Sequence, residues 1–321
     1  MNQPPTSQLT RGYGIALASA VTLSTTAILI RHLTQAYELP PLVLAFWRDL
    51  FVMLSLLIVL SIVRPALLRV LRQHLLYLVF YGLVLAGFNA LWTLSVAING
   101  AAVSTVLAYC SAGFTALLGW WLLKEDLGWG KLLAVALSLG GCVLVAEALD
   151  PAAWRANLAG ILTGILSGLA YAAYSLMGRS ASQRGLNPWT TVLYTFGLAG
   201  LFLLIANLLF GSFLPGAAAR PADLLWLGQS WAGWGYLLLL AAGPTLLGFG
   251  LYNTSLVYLP SSVANLIVTS EPVFTAIMAY FLFGERLSGV QIAGSLLILG
   301  GVIFLRMYEG RHKPALIQNA A

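Results

Sequence analysis

The chain has 321 residues, of which 60% are hydrophobic and only 8% charged, and it carries 16 Lys and Arg against 10 Asp and Glu. A soluble domain has about 25% charged residues, so this composition excludes a water-facing surface and points to a helical protein embedded in a lipid bilayer. The apolar runs are continuous rather than alternating, which argues against a β-barrel, and the basic excess sits in short loops, which argues against a nucleic-acid partner.

The first apolar run is followed by Arg31 and His32 instead of a small-residue cleavage site, so it is expected to stay in the membrane. From there ten spans can be placed, each near the ~20 residues a bilayer needs. They cover 12–32, 41–63, 75–98, 102–122, 129–147, 157–178, 188–210, 233–257, 261–283 and 288–306. Connections are short except 211–232, whose Pro, Gly and Trp suggest an interfacial loop. Residues 1–10 and the tail after Met307 read as short mobile ends.

Loop charges set the orientation. With the amino terminus inside, the inner loops hold Arg11, Arg64, Arg69, Arg72, Lys124, Lys131, Arg179, Arg184, Arg306, Arg311 and Lys313. The outer loops hold Arg31, Arg155, Arg220 and Arg286, while Arg48 lies within a span. Both termini are therefore expected in the cytoplasm, and an even span count agrees with their sharing a side.

The chain also repeats itself. An ungapped offset of 160 residues (271 − 111) lays the third to fifth spans on the eighth to tenth. Phe114-Thr115-Ala116 then meets Phe274-Thr275-Ala276, Glu125 meets Glu285, and Gly140-Gly141 meets Gly300-Gly301. An offset of 148 (160 − 12) pairs Gly12, Ser19, Arg31 and Pro40 with Gly160, Ser167, Arg179 and Pro188. Two units follow, 1–152 and 153–321. Five spans per unit is an odd number, so the second copy must cross in the opposite sense, giving an all-α polytopic fold of two inverted five-helix repeats.

Chemistry centres on Glu271, in the middle of the ninth span and directly before Pro272. A carboxylate at the bilayer centre costs about 2.5–3.5 kcal/mol on insertion scales and faces a cavity or a partner. Proline disfavours helix at the residue before it, so Pro272 is expected to mark a break at Glu271, with Gly113 marking the matching break in the fourth span. Glu271 would contact substrate or take up a coupling proton; a structural carboxylate satisfied by neighbours is the plainer alternative. Its counterpart in the first half is Ser111, so the charge belongs to one half only.

Mid-span rings and amides need partners that lipid does not provide. Tyr81, Asn89, Trp92, Tyr109, Tyr171, Tyr174, Tyr252, Asn253 and Asn265 are therefore candidates for a cavity lining. Trp120, Trp121, Trp129, Trp231 and Trp234, near span ends, read as membrane-belt residues. Arg48 and Asp49 either clamp an anionic group or, more plainly, pair with each other or snorkel outward, and Glu125 and Glu285 read as loop anchors. The paired glycines read as packing surfaces within the chain or between two copies in a homodimer. Cys110 and Cys142 lie in apolar segments without metal-like spacing and read as packing residues. HExxH, GxSxG, phosphate-binding glycine loops and Cys/His clusters are absent from the sequence, so neither an enzyme nor a cofactor is expected.

The run Glu271-Pro272-Val273-Phe274-Thr275-Ala276, then Gly284-Glu285-Arg286-Leu287, Gly294 and Leu299-Gly300-Gly301, resembles the second repeat of EamA-type transporters of the drug/metabolite transporter superfamily. Phe114-Thr115-Ala116, Lys124-Glu125 and Gly140-Gly141 match the first repeat less closely, and Ser111-Ala112-Gly113 departs from the acidic-Pro pattern. The resemblance implies an inner-membrane carrier, often an exporter of amino acids or other metabolites. It also implies a central cavity lined by the first, third, fourth, sixth, eighth and ninth helices. A small-molecule substrate moved by alternating access is the expected function. Efflux of lipophilic cations, or a structural or sensory role without transport, are the alternatives.

Overall fold

The computed structural model describes residues 6–99, 101–145, 158–283 and 288–312. Its described segments are helical, and the helices fall into ten crossings. The first three are α1 (Thr6–Ala36), α2 (Pro41–Val63) and α3 (Leu75–Asn99). The fourth is divided into α4 (Ala101–Ala108) and α5 (Ser111–Leu123), and the fifth is α6 (Trp129–Val145). The sixth and seventh are α7 (Leu158–Gln183) and α8 (Pro188–Phe210). The eighth runs through α9 (Trp231–Leu240) and α10 (Leu246–Tyr258). The ninth is α11 (Ser261–Val268) followed by α12 (Glu271–Phe283), and the tenth is α13 (Gly289–His312).

Local chemistry sets several of these ends. Pro41 and Pro188 occupy first helical turns, where a missing N–H costs nothing, and the Asn187 side chain accepts from Trp189 N at 2.9 Å as an N-cap. Between α9 and α10, Pro244 and the non-helical Gly243 (φ −87°, ψ −106°) interrupt the backbone ladder and kink the eighth crossing. Two terminal expectations need correction: Thr6–Thr10 and Tyr308–His312 are helix, continuing α1 and α13 past the apolar core. His32 and His312 lie on α1 and α13.

Packing follows the repeat. The third crossing lies against the sixth as the eighth lies against the first, and the fourth lies against the sixth as the ninth lies against the first. The second crossing pairs with the seventh, the fourth with the ninth and the fifth with the tenth. Exchanging the two halves maps this set of contacts onto itself, which is the signature of an internal pseudo-two-fold relation. The polypeptide is thus a polytopic bundle of two inverted five-helix repeats.

Glycines bring selected backbones together. A Cβ on Gly141 would meet Gly294 O and Ile298, and one on Gly301 would meet Ala134 O and Ser138 Oγ, so this pair seals α6 against α13. Gly140 and Gly300 face open space instead. On α7, Gly164 admits Leu107, and a Cβ on Gly168 would stand 2.9 Å from Ala108 O. The free carbonyl end of α4 therefore rests directly on α7.

The helix ends group into two faces. Arg11 stands over the Tyr258 ring, Arg184 over the Tyr77 ring, and Thr190 Oγ1 donates to Leu67 O at 2.7 Å. These residues, with Glu125 and Ser261, define the face that carries the start of α1. On the opposite face Trp226 Nε1 donates to Tyr37 O at 3.1 Å and Trp47 Nε1 to Leu224 O at 2.7 Å. The 211–232 connection is pinned there, with its own Ala218 and Leu227 buried. Trp120, Trp121, Trp129 and Trp231 are exposed at the ends of the crossings, whereas Trp234 is half-buried against Trp47.

Candidate functional site

The divided fourth and ninth crossings position the site. In the ninth, Thr269 Oγ1 and Ser270 Oγ donate to Leu266 O and Ile267 O, and Thr269 N donates to Asn265 O at 3.1 Å. Side-chain hydroxyls thereby satisfy carbonyls that the break frees, as backbone at membrane depth requires. Glu271 opens α12, where the exposed N–H groups of a helix start favour a negative charge, and Pro272 occupies the same first turn. In the fourth crossing the break falls at Tyr109 and Cys110, at the same place under the 160-residue offset (269 − 109). Gly113 is not the break. It lies inside α5, where a Cβ would stand 3.1 Å from Leu139, so its small size serves packing against α6.

The two breaks meet. Tyr109 Oη donates to Glu271 Oε2, with both residues 4% exposed. They line a small cavity of about 30 Å³, together with Leu23 and Thr26 from α1, Phe88 and Trp92 from α3, and Thr105 and Ala108 from α4. Tyr171 from α7 and Phe249 from α10 complete the wall. Thus the first, third, fourth, sixth, eighth and ninth crossings all contribute. Such a volume admits a water or two.

The lining is suited to a cation with hydrogen-bonding capacity. Phe88 stacks on Trp92 and on Tyr171, with centroids 6.0 and 4.9 Å apart, and Phe249 lies 6.3 Å from Phe88. Ring faces of this kind attract an ammonium group. Tyr171 Oη and Thr26 Oγ1 are buried and make no hydrogen bond to a described residue. They are unspent donors and acceptors beside a carboxylate that receives one hydrogen bond from the described residues.

Of the expected lining residues, Glu271, Trp92, Tyr109 and Tyr171 meet at the cavity. Tyr81, Tyr174, Tyr252, Asn253 and Asn265 do not line it; they form a hydrogen-bonded plug between the cavity and the face that carries Glu125. Tyr81 Oη donates to Asn253 Oδ1 at 3.2 Å, and Asn253 Nδ2 donates to Tyr174 Oη at 2.7 Å. Tyr252 Oη and Asn265 Nδ2 both donate to Ser175 Oγ, at 2.6 and 3.1 Å. Ser111, the counterpart of Glu271, donates to Asn265 Oδ1 at 3.1 Å.

Asn89 lies behind the wall. Its Nδ2 donates to both oxygens of Asp49, at 2.9 and 2.7 Å, and Arg48 Nε donates to Asp49 Oδ1 at 3.4 Å. Arg48 and Asp49 are fully buried and pair with each other, the plainer of the readings, and neither snorkels outward. Glu125 is more than a loop anchor. It accepts from Ser261 N and Oγ at 2.7 and 2.6 Å and from Ser262 N and Oγ at 3.2 and 2.5 Å, tying the end of α5 to the start of α11. Lys131 Nζ donates to Ser262 Oγ at 3.0 Å beside it. Glu285 lies outside the described residues, as does the side chain of Cys142; Cys110 is a free thiol at the break.

Thr26, Thr105, Phe88 and Phe249 were not foreseen. An intrahelical threonine ordinarily returns its hydroxyl to a carbonyl of its own turn, and a phenylalanine is at home anywhere in such a chain, so neither type stands out.

The family model of the EamA-like transporter family matches residues 10–146 and 158–307. The threonine/homoserine exporter RhtA of Salmonella typhimurium is 27% identical over 74% of this chain and 74% of its own length. A probable amino-acid metabolite efflux pump of the same species is 27% identical over 83% of this chain and 85% of its own. An uncharacterized transporter of Archaeoglobus fulgidus is 30% identical, over 57% of this chain and 58% of that protein. A protein of known crystal structure superposes with a TM-score of 0.71, covering 95% of this chain and 99% of its own at 16% identity, a likeness of fold. The two matched segments span both halves of the bundle, including both breaks and Glu271, and the chain belongs to the EamA-like transporter family of membrane transporters.

Proposed function

We propose that this protein exports amine-bearing metabolites, amino acids foremost, across the bacterial inner membrane by alternating access of its two inverted halves. One observation carries the reading: a buried carboxylate, Glu271, stands at a helix break in a small aromatic cavity beside two hydroxyls that have no hydrogen-bond partner among the described residues. A substrate ammonium fits that set of groups through the carboxylate, the ring faces and the hydroxyl oxygens together. The two Salmonella relatives named for amino-acid export support the substrate class and the direction. The Lys and Arg bias supports cytoplasmic placement of the face that carries the start of α1, and with it both termini. On that orientation the Glu125 contacts and the Tyr81–Asn253–Tyr174 plug close the cytoplasmic side.

Flux of L-threonine and L-homoserine into inside-out vesicles carrying the protein tests the reading. Saturable uptake above that of empty vesicles is expected. Its absence for these and the remaining amino acids would refute the substrate class. The rings around Glu271 also favour a second reading, efflux of lipophilic cations. Under that reading a cationic dye would be carried, and amino acids would fail to compete with it.

A further inference from the structure

Directly behind the cavity wall lies a charged cluster that the proposed site does not use. Arg48 is 1% exposed and Asp49 0%. Asp49 is well satisfied, with Asn89 Nδ2 donating to both of its oxygens and Arg48 Nε to one. Arg48 is not: its Nη2 is buried without a hydrogen-bond partner among the described residues, and so is Asn89 Oδ1. A guanidinium whose one hydrogen bond among the described residues is through Nε, at 3.4 Å, leaves the fork that recognises carboxylates unused. A buried donor without a partner is costly, and a purely structural ion pair has no reason to retain one.

The fork is close to the cavity. Arg48 Cζ lies 5.7 Å from the Trp92 ring centroid, and Trp92 is itself a lining residue. One indole therefore separates the guanidinium from the space beside Glu271. That space is too small for an amino acid as it stands. Displacing Trp92 would both enlarge it and uncover Arg48.

We propose that Arg48 is a specificity residue which takes the α-carboxylate of the substrate when Trp92 moves aside, while Glu271 takes the ammonium. The site then selects zwitterionic amino acids over plain amines and lipophilic cations. Asp49 and Asn89 are positioning residues that hold the guanidinium by its Nε edge and keep the fork free. This inference rests on the amine-export reading and adds the second recognition point.

The test compares each of the twenty L-amino acids with its carboxamide, which keeps the ammonium and lacks the carboxylate, in proteoliposome counterflow. The wild-type protein is expected to prefer carried amino acids over their amides by about tenfold or more, the worth of one charge-assisted hydrogen bond. In the double variant Arg48→Gln/Asp49→Asn, which removes both charges and leaves none unpaired, that preference should vanish while amide flux persists. Arg48→Lys keeps the charge and loses the fork; it should retain only part of the preference and serves if the double variant does not fold.

If the wild type carries amino acids and amides equally, or if the variants keep the preference, the role of Arg48 is wrong and amine export stands. Equal loss of both substrates would show the cluster to be structural and would also overturn the proposal. Carriage of no amino acid would overturn both readings.

Discussion

At the scale of single residues, the site turns on one hydrogen bond between the two broken crossings. A carboxylate accepts at about four positions, and among the described residues only Tyr109 donates to Glu271. The remaining capacity is available to a ligand in the cavity. Tyr109 fixes which way the carboxylate points, so Tyr109→Phe should weaken binding of a carried amino acid by about 1.5–3 kcal/mol while the ring keeps its packing against Tyr171. Ligand titration by thermal shift measures this, and an unchanged affinity would contradict the assigned role. Glu271 was legible because a charge in a hydrocarbon-spanning stretch has few innocent explanations. The face that each helix turns to the cavity was not legible, since lipid and protein interior are equally apolar in such a bundle. Tyr81 and Tyr174 therefore read like Tyr109 and Tyr171, yet they close the structure below the cavity rather than line it.

At the scale of elements, the repeat explains most of what the helices do. The breaks fall at matching places in the fourth and ninth crossings although only one carries a proline, so proline alone was a poor guide. The kink at Gly243 and Pro244 has no counterpart in α3, whose helix runs unbroken from Leu75 to Asn99. A second asymmetry concerns closure. Glu125 binds the N–H groups and hydroxyls of Ser261 and Ser262, whereas the same positions of the first half are Ala101 and Ala102. The hydroxyl pair thus fastens one side of the protein only. Glu125→Ala removes these bonds between the halves and should destabilise the closed form by about 2–3 kcal/mol. The expected signs are a lower apparent melting temperature and faster amide hydrogen exchange over 261–270. Unchanged exchange in that stretch would show that the plug, and not Glu125, holds this side shut.

At the scale of the whole molecule, two inverted halves meet around a cavity that lies between their breaks. Exchange of the arrangements adopted by the halves is what would carry the opening from one face to the other. Glu125 ties the two halves together on one face, and the cavity beside Glu271 holds about 30 Å³, so the proposed amino-acid substrate requires it to expand. Length, composition and the 160-residue offset made this architecture readable in advance, because the membrane leaves few alternatives to helices and the repeat fixes their pairing. The size of the cavity, the plug and the covered Arg48 depend on side-chain packing and could not be read. Glu271 is the group proposed to meet the substrate or a coupling proton. Glu271→Gln keeps shape and hydrogen bonding while removing the charge. Reconstituted Glu271→Gln should retain the wild-type melting temperature and lose at least about nine-tenths of L-threonine flux, in line with the loss of a charged contact. A variant that transports L-threonine at the wild-type rate would contradict the account.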